Sequence, residues 1–181
     1  MRKRLQKLFY TIFILFSTTT YVLGQENYPA PEETPTRLFY IQHSNNHNTY
    51  VYDANIKNDS IDKENPINEY RIVYTEGGTI KPLTGLQKRM AYGLIIKNIT
   101  ANIFEMYLTA NKDTSLFLTL DSNFEPKVYV TVNNRKMFLD RIFVKLKNNF
   151  SVIRVEADYI LLEGQDYYSK KKVTEKYFFE N

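Results

Sequence analysis

The chain has 181 residues, of which 43% are hydrophobic and 24% charged, and it contains neither cysteine nor tryptophan. The length and composition predict one compact domain, and the lack of cysteine excludes disulfide scaffolds, thiol nucleophiles and iron–sulfur centres. The formal net charge of +4 comes from the first 24 residues, which hold four of the 24 basic residues and no acidic one, leaving 20 basic against 20 acidic residues. The sequence therefore predicts no nucleic-acid partner.

The first element is a predicted signal peptide over residues 1–24. A cationic start between Arg2 and Lys7 precedes an apolar run at 8–16, and small Gly24 stands at the expected cleavage edge. The apolar run is much shorter than the roughly 20 residues of a membrane-spanning helix. We expect cleavage, export to the periplasm or the medium, and no transmembrane segment in the mature chain, with an uncleaved anchor as the alternative.

Residues 25–36 hold three of the six prolines and show no apolar periodicity. This composition predicts a flexible Pro-rich segment. A single β-rich domain is predicted for the rest of the chain, residues 37–181.

This domain begins with two segments rich in aromatic and β-branched residues, which favour strands. Turn-forming residues at 43–48 separate them, and a polar loop is expected near 56–68. The predicted strands are 38–42, 49–53, 69–74, 92–99, 103–109, 116–120, 127–132, 137–147, 151–162 and 173–179. Asn133-Asn134 and Asn148-Asn149 are expected to form turns between strands.

Only residues 83–91 show a helical pattern. Thr84 stands three residues before Gln87, which is the spacing of a capping box, and Leu83, Leu86 and Met90 share one face. We expect one short helix here, ending by Gly93.

Several strands alternate apolar and polar residues, as Phe104, Met106 and Leu108 illustrate. Alternation places one face in a core and the other in water, which is typical of antiparallel sheets. The predicted fold class is all-β and mainly antiparallel. A barrel, slightly favoured, or a two-sheet sandwich of about 8–10 strands fits this pattern.

The turn between the first two strands carries the predicted site. Its polar side chains are suited to hydrogen bonding with a ligand, and a tyrosine of the following strand and an arginine of a later one are added as candidate contacts. The candidate ligand-binding residues are Gln42, His43, Asn45, Asn46, His47, Asn48, Tyr50 and Arg71. His43 and His47 are the only histidines, but with Asp53 as the only nearby carboxylate they make a weak metal site. No metal and no cofactor are predicted.

Tyrosine and phenylalanine make up 15% of the chain. Tyrosine suits pockets for sugars or amphipathic ligands, although it also packs well in strands. The tyrosines with a candidate ligand-binding role are Tyr40, Tyr50, Tyr52, Tyr70, Tyr74 and Tyr92.

The leading functional hypothesis is an exported, non-enzymatic β-domain that binds a small molecule, a glycan or an envelope protein. A hydrolase or isomerase that uses carboxylates, with His43 or His47 as acid or base, is the first alternative. Its candidate carboxylates are Asp53, Glu69, Glu76, Glu105, Asp140, Glu156 and Asp158. A structural or assembly protein of the cell envelope, which pairs its strands with another chain, is the second alternative.

A set of short motifs resembles a known family. The motifs are residues 37–42, Asn48-Thr49, residues 52–55, Asn65-Pro66, Tyr70, Tyr74, Glu76, Gly78 and Ala91-Tyr92-Gly93. Together they resemble the exported bacterial family catalogued as domain of unknown function 4833. The resemblance covers most of the mature chain and is densest over residues 37–93. It implies membership of an exported family and carries no particular activity, cofactor or fold.

Overall fold

The computed structural model describes residues 29–147 and 156–178. The predicted signal peptide, the Asn148-Asn149 turn and the start of the strand predicted at 151–162 lie outside these residues. The described strands are β1 (Arg37–His43), β2 (Asn46–Ala54), β3 (Ile56–Lys57), β4 (Ser60–Ile61), β5 (Ile67–Val73), β6 (Thr79–Pro82), β7 (Leu94–Thr100), β8 (Ile103–Leu108), β9 (Asn111–Leu120), β10 (Pro126–Val132), β11 (Arg135–Leu146), β12 (Ala157–Asp166) and β13 (Lys172–Phe178).

The all-β, mainly antiparallel prediction is confirmed. Eleven of these strands form one curled mixed sheet with the shape of a half-barrel, and β3 with β4 forms a separate small hairpin. Every described pairing is antiparallel except that of β1 with β11. Short strands β3, β4 and β6 were not predicted, because segments of two to four residues are too short to show alternation.

The sheet branches at β11. Strand β12 pairs with β11 from Met137 to Leu146, so it occupies nearly the whole of one edge of that strand. The other edge is shared, since β10 pairs with residues 135–138 and β1 pairs in parallel with residues 141–144. A first arm, β1-β2-β5-β6, and a second arm, β10-β9-β8-β7, therefore diverge from one strand.

The hydrophobic core lies between the two arms and β11. Alternate residues of each strand point into it, as the pattern at Phe104 and Met106 predicted, and both side chains are at most 1% exposed. In the first arm the rings of Phe39 and Tyr52 stack with centroids 4.4 Å apart. Leu118 of the second arm is fully buried. Side chains from both arms thus remove one continuous apolar surface from water.

The predicted short helix is confirmed. An α-helical turn, α1 (Gly85–Gln87), continues into a π-helical turn over Lys88–Tyr92. The capping box forms as expected, because the Gln87 backbone N–H donates to the Thr84 hydroxyl and the Thr84 N–H donates to the Gln87 side chain. No helix among residues 29–147 and 156–178 has the length and apolar character needed to cross a membrane.

The turns differ from the sequence prediction at two places. The segment 43–48 is not a six-residue loop, because β1 and β2 pair as far as His43 and Asn46, leaving a turn at Ser44 and Asn45. Hydrogen bonds to β11 hold this turn: the Ser44 N–H donates to the Val144 carbonyl, and the Leu146 N–H donates to the Ser44 hydroxyl. Extended pairing with two neighbouring strands thus outweighs the turn preference of the asparagines.

Within the loop predicted near 56–68, β3 and β4 form a hairpin. Asn58 and Asp59, which connect them, have φ angles of 49° and 56°. Asn133 and Asn134 also have positive φ and connect β10 to β11, as predicted. Asparagine and aspartate tolerate this left-handed conformation, which type I′ hairpin turns require.

The described part of the predicted flexible segment, residues 29–36, contacts the sheet. Pro31 is buried, the Gln42 side chain donates to the Pro29 carbonyl at 2.9 Å, and the Ala54 N–H donates to the Thr36 carbonyl. These contacts hold the segment against the face of the first arm that points away from the core.

Candidate functional site

His43, the last residue of β1, faces the concave side of the half-barrel. In the parallel pair of β1 and β11, Ile41 is in register with Ile142, and His43 with Val144. Because side chains alternate along a strand, His43 lies on the same face as buried Ile41. Because of this alternation, the His43 side chain lies at the end of the core.

An apolar cavity of about 300 Å³ opens beside His43, between the two arms. One wall consists of β1, β11 and β12 side chains: Ile41, Ile142, Val144, Ile160 and Leu162. The facing wall comes from the second arm and includes Leu108, Leu116 and Val132, with the π-helical residues Ala91 and Tyr92 closing one side. Among the described residues, the lining contains two further polar side chains besides His43, Tyr92 and Tyr177. These are Asn111 and Thr114, and the Asn111 amide donates to the Thr114 hydroxyl at 3.1 Å.

His43 and Tyr92, which line the cavity, form a compact polar and aromatic cluster with Tyr50. The Tyr92 hydroxyl lies 3.0 Å from His43 Nε2, and the rings of Tyr50 and Tyr92 stack with centroids 3.5 Å apart. The imidazole meets both tyrosine rings edge to face. The cluster thus joins the end of β1, the adjacent strand β2 and the π-helical turn.

Burial favours the uncharged forms of His43 and Tyr92. It lowers the pKa of His43 to about 4, so the imidazole is neutral at pH 7. Burial also raises the pKa of Tyr92, and its hydrogen bond with Tyr50 raises that pKa further. A neutral imidazole has one donor and one acceptor nitrogen, so the wall offers hydrogen-bonding groups without a formal charge.

A hydrogen bond and a glycine determine the position of Tyr92. The buried Tyr52 hydroxyl donates to the Tyr92 carbonyl at 2.7 Å. Gly93 follows directly, and a Cβ there would lie 2.4 Å from the Lys88 carbonyl oxygen. A side chain at Gly93 would therefore disturb the turn that brings Tyr92 against Tyr50.

The sequence pattern described as domain of unknown function (DUF4833) matches residues 39–176. The chain belongs to the DUF4833 family. This confirms the resemblance noted from the motifs, and the match includes both arms and both walls of the cavity. No curated protein and no solved structure matches the chain.

Of the predicted site residues, the DUF4833 fold brings His43 and Tyr50 together. Tyr50 is 4% exposed and stacks beside the cavity. Arg71 lies opposite Tyr50 on β5 and shares its face, but it does not line the cavity. Gln42 points to the other face, where its side chain donates to the Thr49 hydroxyl at 2.8 Å. Gln42 and His43 are consecutive residues of one strand, so their side chains cannot share a face.

The remaining predicted site residues, at positions 45–48, come after His43 in the chain. Asn45 is an exposed turn residue, and half-buried Asn48 lies on β2 opposite Val73. The backbones of Asn46 and His47 belong to β2, while their side chains lie outside the described part of the structure. The predicted polar loop is thus replaced by a strand, and the described site is more apolar than predicted.

The candidate carboxylates do not gather beside His43. None lines its cavity within the described residues. Asp53 binds Arg37 and Tyr70, while Glu69 binds Lys88 and accepts from the Leu94 N–H. Residues 29–147 and 156–178 also contain no group of three histidine, cysteine, aspartate or glutamate side chains placed to hold a metal ion.

Most of the cavity lining was not recognised from the sequence. Val144, Ile160 and Leu162 are ordinary strand residues, and their apolar character is the same whether they face packed core or open space. Tyr92 was named as one of six candidate tyrosines, without a partner. Only the tertiary structure shows that Tyr92 of the π-helical turn meets His43 of β1.

Proposed function

We propose that this DUF4833 protein is an exported, non-enzymatic binding protein that holds a small, uncharged, apolar ligand between the two arms of its half-barrel. The observation that carries the proposal is the cavity of about 300 Å³ beside the His43–Tyr92 pair. Binding sites for small molecules are typically concave and apolar, with a few polar groups that orient the ligand.

The lining favours an uncharged ligand. No Asp, Glu, Lys or Arg belongs to it among the described residues, and the pKa of His43, about 4, leaves the imidazole neutral. A charged ligand would lose hydration without gaining an opposite charge, which costs several kcal/mol. The His43–Tyr92 pair instead suits one hydroxyl or carbonyl group on an otherwise apolar molecule.

Two fluorescent probes with the same aromatic framework test this preference. N-phenyl-1-naphthylamine is uncharged, whereas 8-anilino-1-naphthalenesulfonate carries a sulfonate. We expect the uncharged probe to bind with saturable fluorescence enhancement and the anionic probe to bind at least about tenfold more weakly, the equivalent of about 1.4 kcal/mol. Equal binding of both probes, or no saturable binding of the uncharged one, would contradict the proposal.

Two substitutions at Val144, which lines the cavity, test whether the probe binds there. Val144→Phe adds a ring to the wall and should abolish binding of the uncharged probe, whereas Val144→Ala enlarges the space and should preserve it. Thermal unfolding of each variant, followed by circular dichroism, checks that the fold persists. If the folded Val144→Phe variant still binds the probe with unchanged affinity, the probe occupies another site.

Export and the natural ligand are tested by mass spectrometry of the protein isolated from the cells that produce it. The predicted cleavage after Gly24 gives a mature chain that begins at Gln25. An uncleaved intact mass would contradict the signal peptide. Native spectra recorded under gentle conditions report any retained ligand, whose extra mass identifies its class.

A further inference from the structure

The apolar cavity beside His43 extends across four strands. Four of its lining residues are in register on the neighbouring strands β1, β11, β12 and β13: His43, Val144, Ile160 and Tyr177. We call these four residues the long row. Neighbouring strands lie about 4.8 Å apart, so the long row extends about 14 Å from His43 to Tyr177. The floor of the cavity is therefore long in the direction that crosses the strands.

The cavity is narrow compared with this length. A second row on the same face, Ile41, Ile142 and Leu162, also lines it. Residues two apart on a strand are separated by about 6.6 Å, so the floor is two side chains wide. A volume of about 300 Å³ along about 14 Å of length gives a mean cross-section of about 21 Å². This is about the cross-section of one extended hydrocarbon chain.

Polar contacts at both ends of the long row hold the opposite wall in place. At the first end, the Tyr92 hydroxyl of the π-helical turn lies 3.0 Å from His43 Nε2. At the other end, the Asn133 side chain, which follows β10, donates to the Glu175 carboxylate at 3.0 Å. Glu175 and Tyr177 lie on the same face of β13, because they are two residues apart. The space between the two walls is thus closed off by contacts at each end.

The two ends of the long row differ in polarity and exposure. The first end offers an imidazole and the Tyr92 hydroxyl, and burial lowers the pKa of His43 to about 4. The middle of the row, Val144 and Ile160, is apolar. Tyr177 at the other end is 41% exposed, and its strand β13 pairs only with β12 among the described strands. The row therefore leads from an uncharged polar pair, across apolar side chains, to the edge of the sheet.

We propose that the cavity binds a single-chain aliphatic molecule of about ten carbons with an uncharged polar head, such as a primary alcohol. The head hydrogen bonds with the His43–Tyr92 pair, and the tail lies over Val144 and Ile160 towards Tyr177. An extended alkyl chain advances about 1.25 Å per carbon, because C–C bonds of about 1.5 Å alternate in direction. About ten carbons and a head group therefore cover the long row. This inference rests on the function proposed above and adds the shape, length and direction of the ligand.

The test is displacement of bound N-phenyl-1-naphthylamine by 1-hexanol, 1-octanol, 1-decanol and 1-dodecanol, each below its solubility limit. Each methylene group that moves from water into the apolar lining should increase affinity about fourfold. We expect about a 16-fold increase for every two carbons up to 1-decanol, and less than about twofold from 1-decanol to 1-dodecanol, whose end passes the edge of the sheet. An unbroken increase through 1-dodecanol, or affinity that does not depend on chain length, would overturn the proposal.

Decanoate tests the head group. It should bind at least about tenfold more weakly than 1-decanol, because the lining offers no opposite charge. Tighter binding of decanoate would contradict an uncharged head. If N-phenyl-1-naphthylamine does not bind at all, the function proposed above fails together with this inference. If the fluorescent probe binds and no alcohol displaces it, only this inference fails.

Substitutions at the two ends of the long row test the direction of the chain. Tyr177→Ala removes the wall beside the last carbons and should weaken 1-decanol about fourfold while leaving 1-hexanol unchanged. Phe178→Ala is the matched control, because Phe178 is the next residue, points to the opposite face and is 60% exposed; it should change neither affinity. Tyr92→Phe removes the hydroxyl at the head and should weaken all four alcohols about fivefold.

Circular dichroism of each variant checks that the fold persists. Equal effects of Tyr177→Ala on 1-hexanol and 1-decanol, or equal effects of Tyr177→Ala and Phe178→Ala, would contradict a tail that ends at Tyr177. Unchanged affinity of every alcohol for Tyr92→Phe would show that the head does not bind at the His43–Tyr92 pair.

Discussion

Replacement of His43 by glutamine should make the stability of the protein less sensitive to acid. The wild-type imidazole has a pKa of about 4 in the folded chain, against an ordinary value of 6.5, because it is buried. Between these two values the unfolded chain holds a proton that the folded chain does not. Stability must therefore decrease as the pH falls from about 6.5 towards 4 and change no further, through this group, below that range.

The size of this effect follows from the two pKa values. One pKa unit corresponds to about 1.4 kcal/mol. Acidification from pH 7 to pH 5 should lower the free energy of unfolding by about 2 kcal/mol through His43 alone. Glutamine retains a polar partner for the Tyr92 hydroxyl but does not titrate in this range, so His43→Gln should lack this loss.

The measurement is urea unfolding at pH 7 and pH 5, followed by circular dichroism, for the wild type and His43→Gln. Changes from carboxylates occur in both proteins and cancel in the comparison. His47 is the only other histidine, and repeating the comparison in a His47→Gln background removes its contribution. If the wild type and His43→Gln lose the same free energy between the two pH values, the imidazole is not held neutral by burial, and the reasoning fails.

Three further predictions concern the packing of the sheet and its core. Gly164→Ala should destabilise the protein by about 1–3 kcal/mol, because its Cβ would meet the Phe138 carbonyl of the paired strand β11. An unchanged midpoint of urea unfolding would contradict this close approach of β12 to β11. Tyr52→Phe keeps the ring stack but removes the bond to the Tyr92 carbonyl, at a cost of about 1–2 kcal/mol by the same assay, and unchanged stability would argue against that bond. Leu118→Ala should lower the free energy of unfolding by about 2–5 kcal/mol, because Leu118 is fully buried. Ile80→Ala should change it by less than about 0.5 kcal/mol, because that side chain is 65% exposed. Similar losses of stability at both positions would show that Leu118 is not part of the core.

Local patterns in the sequence predict much of the secondary structure. Alternation identified the long strands, and the Thr84–Gln87 spacing identified the capping box. Asn133-Asn134 marked a hairpin because these residues tolerate positive φ. Each signal depends on neighbouring residues only, so it can be read without knowing which strands pair. The same locality explains why segment 43–48 was predicted as a loop: pairing with β5 and contact with β11 act on it from distant parts of the chain.

The candidate sites depend on pairings that no local pattern contains. Alternation shows that Gln42 and His43 face opposite sides, but not that His43 lies beside Val144, which is about a hundred residues away in sequence. Likewise, Arg37 and Arg141 are about a hundred residues apart in sequence, and only the pairing of β1 with β11 brings them to the same cleft. The sequence by itself determined the β-rich character, the short helix and the family of this protein. Tertiary structure alone decided which face of each strand lines a cavity, because non-local strand pairing and its register bring those residues together.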